Sequence, residues 1–284
     1  MLYGLAYFPT DKAMQPIEFG EAAEAAGFES IWFAEHSHIP VSRITPWGGR
    51  EGAPPLPDHY SRTHDSIVAL AAIAARTTRI RLGTGIALLA QRDPIWVAKE
   101  IASLDVISGG RVNFGIGYGW NVEEIESHGI DPSRRRALVR EKTLAIKEIW
   151  SQEEAAYSGE FVAFDPIWSW PKPVQQPHPP IVIGGAPTPV TFRHIVEYAD
   201  GWMPLYGRFP VIEHVTSLRQ QAADAGRDPA AIEVTVYMAP PELDVIEELR
   251  DAGVDRILFG VNSLPTEVAG RQILDLEELA AEAG

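Results

Sequence analysis

The stretch "RIRLGTGIALLAQRDP", Arg79 to Pro94, decides the fold, because it reads as a buried strand that breaks into a loop and then a helix without a conventional turn. Arg79-Ile80-Arg81-Leu82 alternates polar and apolar residues as a strand does. Gly83-Thr84-Gly85 then interrupts it with residues that tolerate close backbone approach. Asp93-Pro94 opens a helix, with an acidic N-cap and proline at the first helical position. The layout recurs in "RVNFGIGYGWN", Arg111 to Asn121. There Gly115, Gly117 and Gly119 leave one face of the strand end almost bare, so a flat group is expected against it.

Working outward, short apolar strands alternate with amphipathic helices eight times. The strands are expected at Leu2 to Phe8, Ser30 to Glu35, Arg79 to Leu88, Arg111 to Gly119, Ile181 to Gly185, Gly201 to Leu205, Ile232 to Met238 and Asp255 to Val261. Helical spacing of apolar residues shows in Phe19, Ala22, Ala23 and Ala26, and again in Val139, Thr143, Ile146 and Trp150. Gly27, Gly226 and Gly253 stand where helix C-terminal caps are expected. Eight βα units predict an α/β fold, a (β/α)8 TIM barrel, as one domain over residues 1–284.

Composition narrows the function. The chain has 284 residues, 45% of them hydrophobic, no cysteine and a formal net charge of −15. That length supports a full core, and the lack of cysteine excludes thiolate zinc sites, disulfides and a cysteine nucleophile. The negative charge argues against nucleic acid or an anionic membrane as partner. No apolar run is long enough to span a bilayer, and "MLYGLAYFP" enters a strand without signal-peptide features, so the cytoplasm is the expected location. A polyanionic ligand would need a local basic patch. Arg43, Arg50 and Arg62 form one candidate, and Arg134, Arg135, Arg136 and Arg140 another, although such an arginine run is more often a solvated helix face.

Two connections exceed what a bare barrel needs. Residues 36–64, after the second strand, lie on the C-terminal face where barrel active sites form, and are expected to act as a lid or binding loop. Residues 157–180 precede the fifth strand and start from the opposite face, which suits a packing or dimerisation role. At the end of the second strand, Glu35 and His36 are a candidate proton-transfer pair, since an imidazole titrates near neutrality. A structural histidine beside a rim carboxylate fits the same residues. His36, His38, His59 and His64 match no metal-ligand pattern, and no metal is expected. In "IVIGGAPTPVTF" the amides of Gly184, Gly185 and Ala186 lead into a helix start and suit a phosphate, although a plain tight turn also explains them. "GIGYG" lacks the helix start and acidic residue of a Rossmann fingerprint.

Four segments, "AEAAGFESIWFAEH", "RIRLGTGI", "SLDVISGGRVNFGIGYGWNVEEIESHGID" and "EYADGWMP", together resemble the luciferase-like monooxygenase superfamily, and within it the enzymes dependent on the deazaflavin coenzyme F420. The resemblance covers essentially the whole chain. It implies a flavin or deazaflavin at the C-terminal mouth, a non-prolyl cis peptide at Gly85-Ile86 behind the ring, and His36 near the hydride-transfer carbon. Glu35 stands where deazaflavin enzymes commonly carry Asp. Gly117, Tyr118, Gly119, Trp120 and Asn121 match the loop flanking coenzyme and substrate, and Gly184-Gly185 matches a phosphate-holding turn. Trp120 occupies the position where some sugar-phosphate dehydrogenases of the superfamily place an acidic glutamate, so that role does not carry over. Glu123 and Glu124 are expected on an outward helix face. Family members commonly pair through the helices at Ser66 to Arg76 and Pro94 to Ile107, which implies a homodimer.

The leading expectation is an oxidoreductase in which F420 exchanges a hydride with a small-molecule substrate, the coenzyme carrying the chemistry. The alternative is an FMN-dependent monooxygenase fed reduced flavin by a separate reductase. From another class, a non-catalytic flavin-binding or coenzyme-carrying protein keeps the same fold. Schiff-base chemistry is disfavoured, because no lysine ends a strand.

Overall fold

The computed structural model describes residues 1–284. Eight parallel strands close into a barrel: β1 (Leu2–Tyr7), β2 (Ser30–Phe33), β3 (Arg81–Thr84), β4 (Val112–Gly117), β7 (Ile181–Gly184), β8 (Gly201–Met203), β9 (Glu233–Ala239) and β10 (Arg256–Val261). Each falls inside or within a residue of the segment expected from the sequence. A short hairpin of β5 (Ala155–Ser158) and β6 (Ala163–Ile167) stands outside the barrel. The fold is the (β/α)8 TIM barrel that the alternating pattern predicts, with insertions after the second strand and before the fifth.

Local signals set the helix boundaries. Asp93 accepts from the amides of Ile95 and Trp96 at 2.9 Å each, capping α3 (Pro94–Ser108). Asp65 does the same for α2 (Ser66–Ala74) through Val68. Gly27, Gly226 and Gly253 all adopt positive φ after their helices. The 157–180 insertion stays beside α3 and the start of β4. Asp105 accepts from the amides of Val174 and Gln175 at 2.8 and 3.0 Å, and the Gln175 side chain donates to the carbonyl of Val112.

The main core lies between the barrel wall and the helices, and a second small core of Ala6, Trp32, Val182, Met203 and Leu258 fills the barrel itself. Trp32 is fully buried, and its size explains the glycines around it. A Cβ on Gly83 would sit 2.3 Å from the indole; one on Gly115 would lie 2.0 Å from the Thr84 carbonyl and 3.1 Å from the indole. Gly117 is kept bare by the Ile86 side chain. The flat group expected against these glycines is thus, at the Gly115 level, the protein's own tryptophan, because an eight-stranded barrel is filled by layers of side chains.

Gly115→Ala should therefore cost about 1–3 kcal/mol of stability, because backbone rather than a movable side chain opposes the added methyl. Gly270→Ala, inside the last helix with open space around it, should be neutral or stabilising by up to about 1 kcal/mol. Urea unfolding of the two variants checks the contrast.

Candidate active site

Alternation along β2 divides its side chains between two environments. Trp32 points into the barrel and Phe33 into the outer core, and the pattern continues beyond the strand. Glu35 faces outward. Arg92 donates to its carboxylate at 2.9 Å and the Ser66 hydroxyl at 3.2 Å, and the Leu88 amide points to it at 3.4 Å. Glu35 and His36 therefore do not form the expected proton-transfer pair; the one-residue offset sends them to opposite sides of the wall.

His36 turns to the mouth and finds a different carboxylate. Its Nδ1 lies 2.7 Å from Oε2 of Glu124, on the short helix α4 (Val122–Ser127). Glu124 is fully buried and also accepts from the Ser37 amide at 3.2 Å, with the Asn121 side-chain amide at 3.5 Å. The expectation of an outward-facing Glu124 is thus corrected. Its position three residues after the Asn121 N-cap suggests only a local capping role, and nothing local reveals a partner 88 residues earlier. Around His36 stand Tyr60 and Trp120, with ring centroids 5.2 and 5.7 Å away.

The insertion over residues 36–64 folds across this corner. Glu123, half-buried rather than outward, accepts from the amides of Ile44 and Thr45 at 2.9 and 3.0 Å. Arg208 donates to the Gly48 carbonyl at 3.0 Å, and Arg43 lies over the Trp120 ring. Burial alone would raise the Glu123 pKa, but hydrogen bonds from Thr45 and Ile44 win and lower it to about 2. The histidines of the segment go to separate partners. His38 bonds Ser37, which also bonds His128, while His59 packs against Phe8 and Tyr60.

On the neighbouring strands, Gly85-Ile86 is a cis peptide, as the resemblance implied. The Ile86 side chain leans across Gly117 of β4 and Gly184 of β7, each of which would clash with it if it carried a Cβ. Gly119 has φ +78°. Beyond β7, the loop Gly184-Gly185-Ala186 leads into α6 (Pro189–Tyr198), whose cap Thr188 accepts from the Thr191 amide at 3.2 Å. The Trp202 indole donates to the Gly185 carbonyl at 3.0 Å and holds the loop from below. Arg136 donates to the Thr188 hydroxyl at 3.2 Å and covers the Tyr118 ring. Tyr118 itself is buried and bonds Nδ1 of His194 at 2.9 Å. Burial raises the Tyr118 phenol to about 12, and burial with Arg193 nearby lowers His194 to about 4, so both are neutral. Tyr118 thus buttresses the loop through its bond to His194. Sequence reasoning missed Glu124, Arg136 as a single residue, and Tyr237, whose buried hydroxyl has no protein partner beside Gly85.

With fold and site in view, the chain's relationships are clear. A family model for luciferase-like monooxygenases matches residues 9–284, and the chain belongs to that family. It is 43% identical over 286 residues to the uncharacterized protein Rv0953c of Mycobacterium tuberculosis, covering 99% of this chain and 98% of that one. It is 28% identical to the F420-dependent hydroxymycolic acid dehydrogenase of the same organism, over 79% of this chain and 57% of the relative. The crystal structure of monooxygenase RslO1 from Streptomyces bottropensis superposes over the full length of both chains with a TM-score of 0.81 at 24% identity, which speaks to the fold.

Two outcomes follow from the carboxylates. Because the Glu123 pKa is lowered on folding, its anchorage of Ile44 and Thr45 is complete above about pH 4.5 and fades as pH falls toward 2. Amide-exchange protection at Ile44 and Thr45 should follow that window, and Glu123→Gln should abolish the dependence. Glu35→Gln should lower stability by about 1–3 kcal/mol, since it leaves Arg92 one charge partner short.

Proposed function

We propose that this protein is an oxidoreductase that holds a deazaflavin of the F420 type at the barrel mouth and exchanges a hydride with a small organic substrate, His36 handling the accompanying proton. One observation carries the reading. The imidazole at the end of β2 has Nδ1 committed to a buried carboxylate, which leaves Nε2 as the atom available to a reactant. The 28% identical dehydrogenase, F420-dependent by name, supports the choice of coenzyme.

The residues present fit such a group. The start of α6, reached through the Gly184-Gly185-Ala186 loop, and Arg136, which bonds its cap Thr188, are the elements suited to hold an anion there, since a helix N-terminus and an unpaired guanidinium both favour phosphate. The orphaned Tyr237 hydroxyl and the buried, unpartnered Oδ1 of Asn121 offer polar contacts. When bound, the coenzyme supplies two-electron hydride chemistry. The chain's own part is to orient and to exclude water. Ile86 and the Gly85-Ile86 peptide form the wall on β3, Trp120 and Tyr60 flank His36, and the insertion pinned by Glu123 covers that side. Nε2 of His36 gives a proton to, or takes one from, an oxygen of the substrate, while Glu124 balances the charge of the imidazolium.

Separate titrations with F420 and FMN, followed by tryptophan fluorescence, test the reading. Saturable F420 binding with a clearly weaker FMN response is expected; equal or inverted affinities would instead favour the FMN-dependent monooxygenase. His36→Asn should bind coenzyme within about twofold of wild type and turn over more slowly by about 10²–10⁴. Full activity, or loss of coenzyme, would refute the proton role.

We also propose a homodimer through α2, α3 and the 168–174 segment. Val68, Trp96, Ile107, Trp168, Trp170 and Val174 are exposed there, more large apolar surface than a monomer ordinarily leaves open. Light scattering at micromolar concentration should report twice the chain mass.

A further inference from the structure

We propose that Glu124 is the positioning residue of the site, fixing His36 in the tautomer that carries its proton on Nδ1 and presents an unprotonated Nε2 to the mouth. The inference deepens the proton role given to His36 and rests on it only for its consequence in turnover. It stands on the arrangement of donors and acceptors around one buried carboxylate.

Both oxygens of Glu124 are used. Oε1 accepts from the Ser37 amide at 3.2 Å, and Oε2 faces Nδ1 of His36 at 2.7 Å, with the Asn121 amide group 3.5 Å away. An ionised carboxylate is acceptor-only, so the ring nitrogen facing it must be the one that carries hydrogen. The same group thus grips the backbone of residue 37 and the ring of residue 36, which fixes the imidazole's orientation as well as its tautomer. Because Glu124 has no exposed surface, water does not compete for either oxygen. Its neighbour on α4, Glu123, binds the amides of Ile44 and Thr45, so one short helix holds both the proton-exchanging residue and the cover above it.

This geometry makes an unusual demand on Glu124→Gln. Glutamine has one acceptor and one donor end, whereas the site offers three donors, the Ser37 amide, the Nδ1 proton and, more distantly, the Asn121 side-chain amide, whose unpartnered oxygen can turn to a new NH₂. The Ser37 amide is fixed by the backbone, but the histidine can exchange its tautomer. With the glutamine carbonyl on Ser37, its NH₂ faces Nδ1, and the ring responds by moving its proton to Nε2. The substitution therefore puts hydrogen on the nitrogen that wild type keeps free.

The test is a nitrogen-15 spectrum of the full-length protein with labelled histidine, at a pH where the ring is neutral, with His36 assigned by difference against His36→Asn. Wild type should show Nδ1–H, Glu124→Gln should show Nε2–H, and Glu124→Asp, which keeps two acceptor oxygens, should restore Nδ1–H. Glu35→Gln should leave the tautomer as in wild type. An Nε2–H ring in wild type, or an unchanged Nδ1–H ring in folded Glu124→Gln, would overturn the proposal. The wild-type spectrum decides even if the glutamine variant does not fold. F420 and FMN titrations of wild type run beside it, so absence of coenzyme binding would refute the functional reading while the tautomer result still judges Glu124.

Discussion

The ion pair between Glu35 and Arg92 is the constraint on which the mouth depends. Arg92 also reaches Asp65, the cap of α2, at 2.7 Å and Glu100 of α3 at 3.2 Å, so one guanidinium ties the end of β2 to the start of α2 and the second turn of α3. Lys142 supports the same corner from α5 (Arg135–Ser151), donating to the carbonyls of Ala90 and Arg92 at 2.8 and 2.6 Å. Breaking a buried charge pair by removing one partner typically costs about 3–5 kcal/mol, although here the remaining carboxylates would soften the loss. Once Glu35 is bound outward, strand alternation leaves His36 no choice but the inward side.

Packing inside the barrel imposes the second constraint. Trp32 takes the volume that Gly83 gives up, the Thr84 carbonyl with the edge of the indole takes that of Gly115, and Ile86 takes what Gly117 and Gly184 give up. These glycines thus serve close packing before they serve any ligand. The wall at this level is consequently a side-chain surface at Ile86 rather than a bare strip of backbone.

Whereas the cis Gly85-Ile86 peptide followed from the family resemblance, the eight strands and the helix caps were legible in the sequence, because periodicity and capping are local. The strand-end histidine was legible for the same reason. Its partner was not. Residues 35 and 36 are adjacent in sequence, and adjacency suggested a pair, yet a period of two separates neighbours across a strand. Applying the alternation Trp32-Ala34-His36 against Phe33-Glu35 would have excluded it. Glu124 lay beyond any local signal, since its helix position advertises a cap and its real contact depends on how β4 and β2 ends meet across the mouth.

The chain's charge of −15 makes an anion cradle at the mouth seem unfavourable, but the accounting changes when each carboxylate there is followed to its partner. Glu35 is bound by Arg92, Glu123 by two amides and Glu124 by an amide and an imidazole. None is left to project its charge freely into the opening. Arg43 and Arg136, by contrast, have no carboxylate partner: one bonds a carbonyl and covers Trp120, the other bonds a hydroxyl and covers Tyr118. Two guanidiniums without a carboxylate partner and a helix N-terminus therefore stand beside the β4 and β7 loops, so local charge there differs in sign from the chain's total.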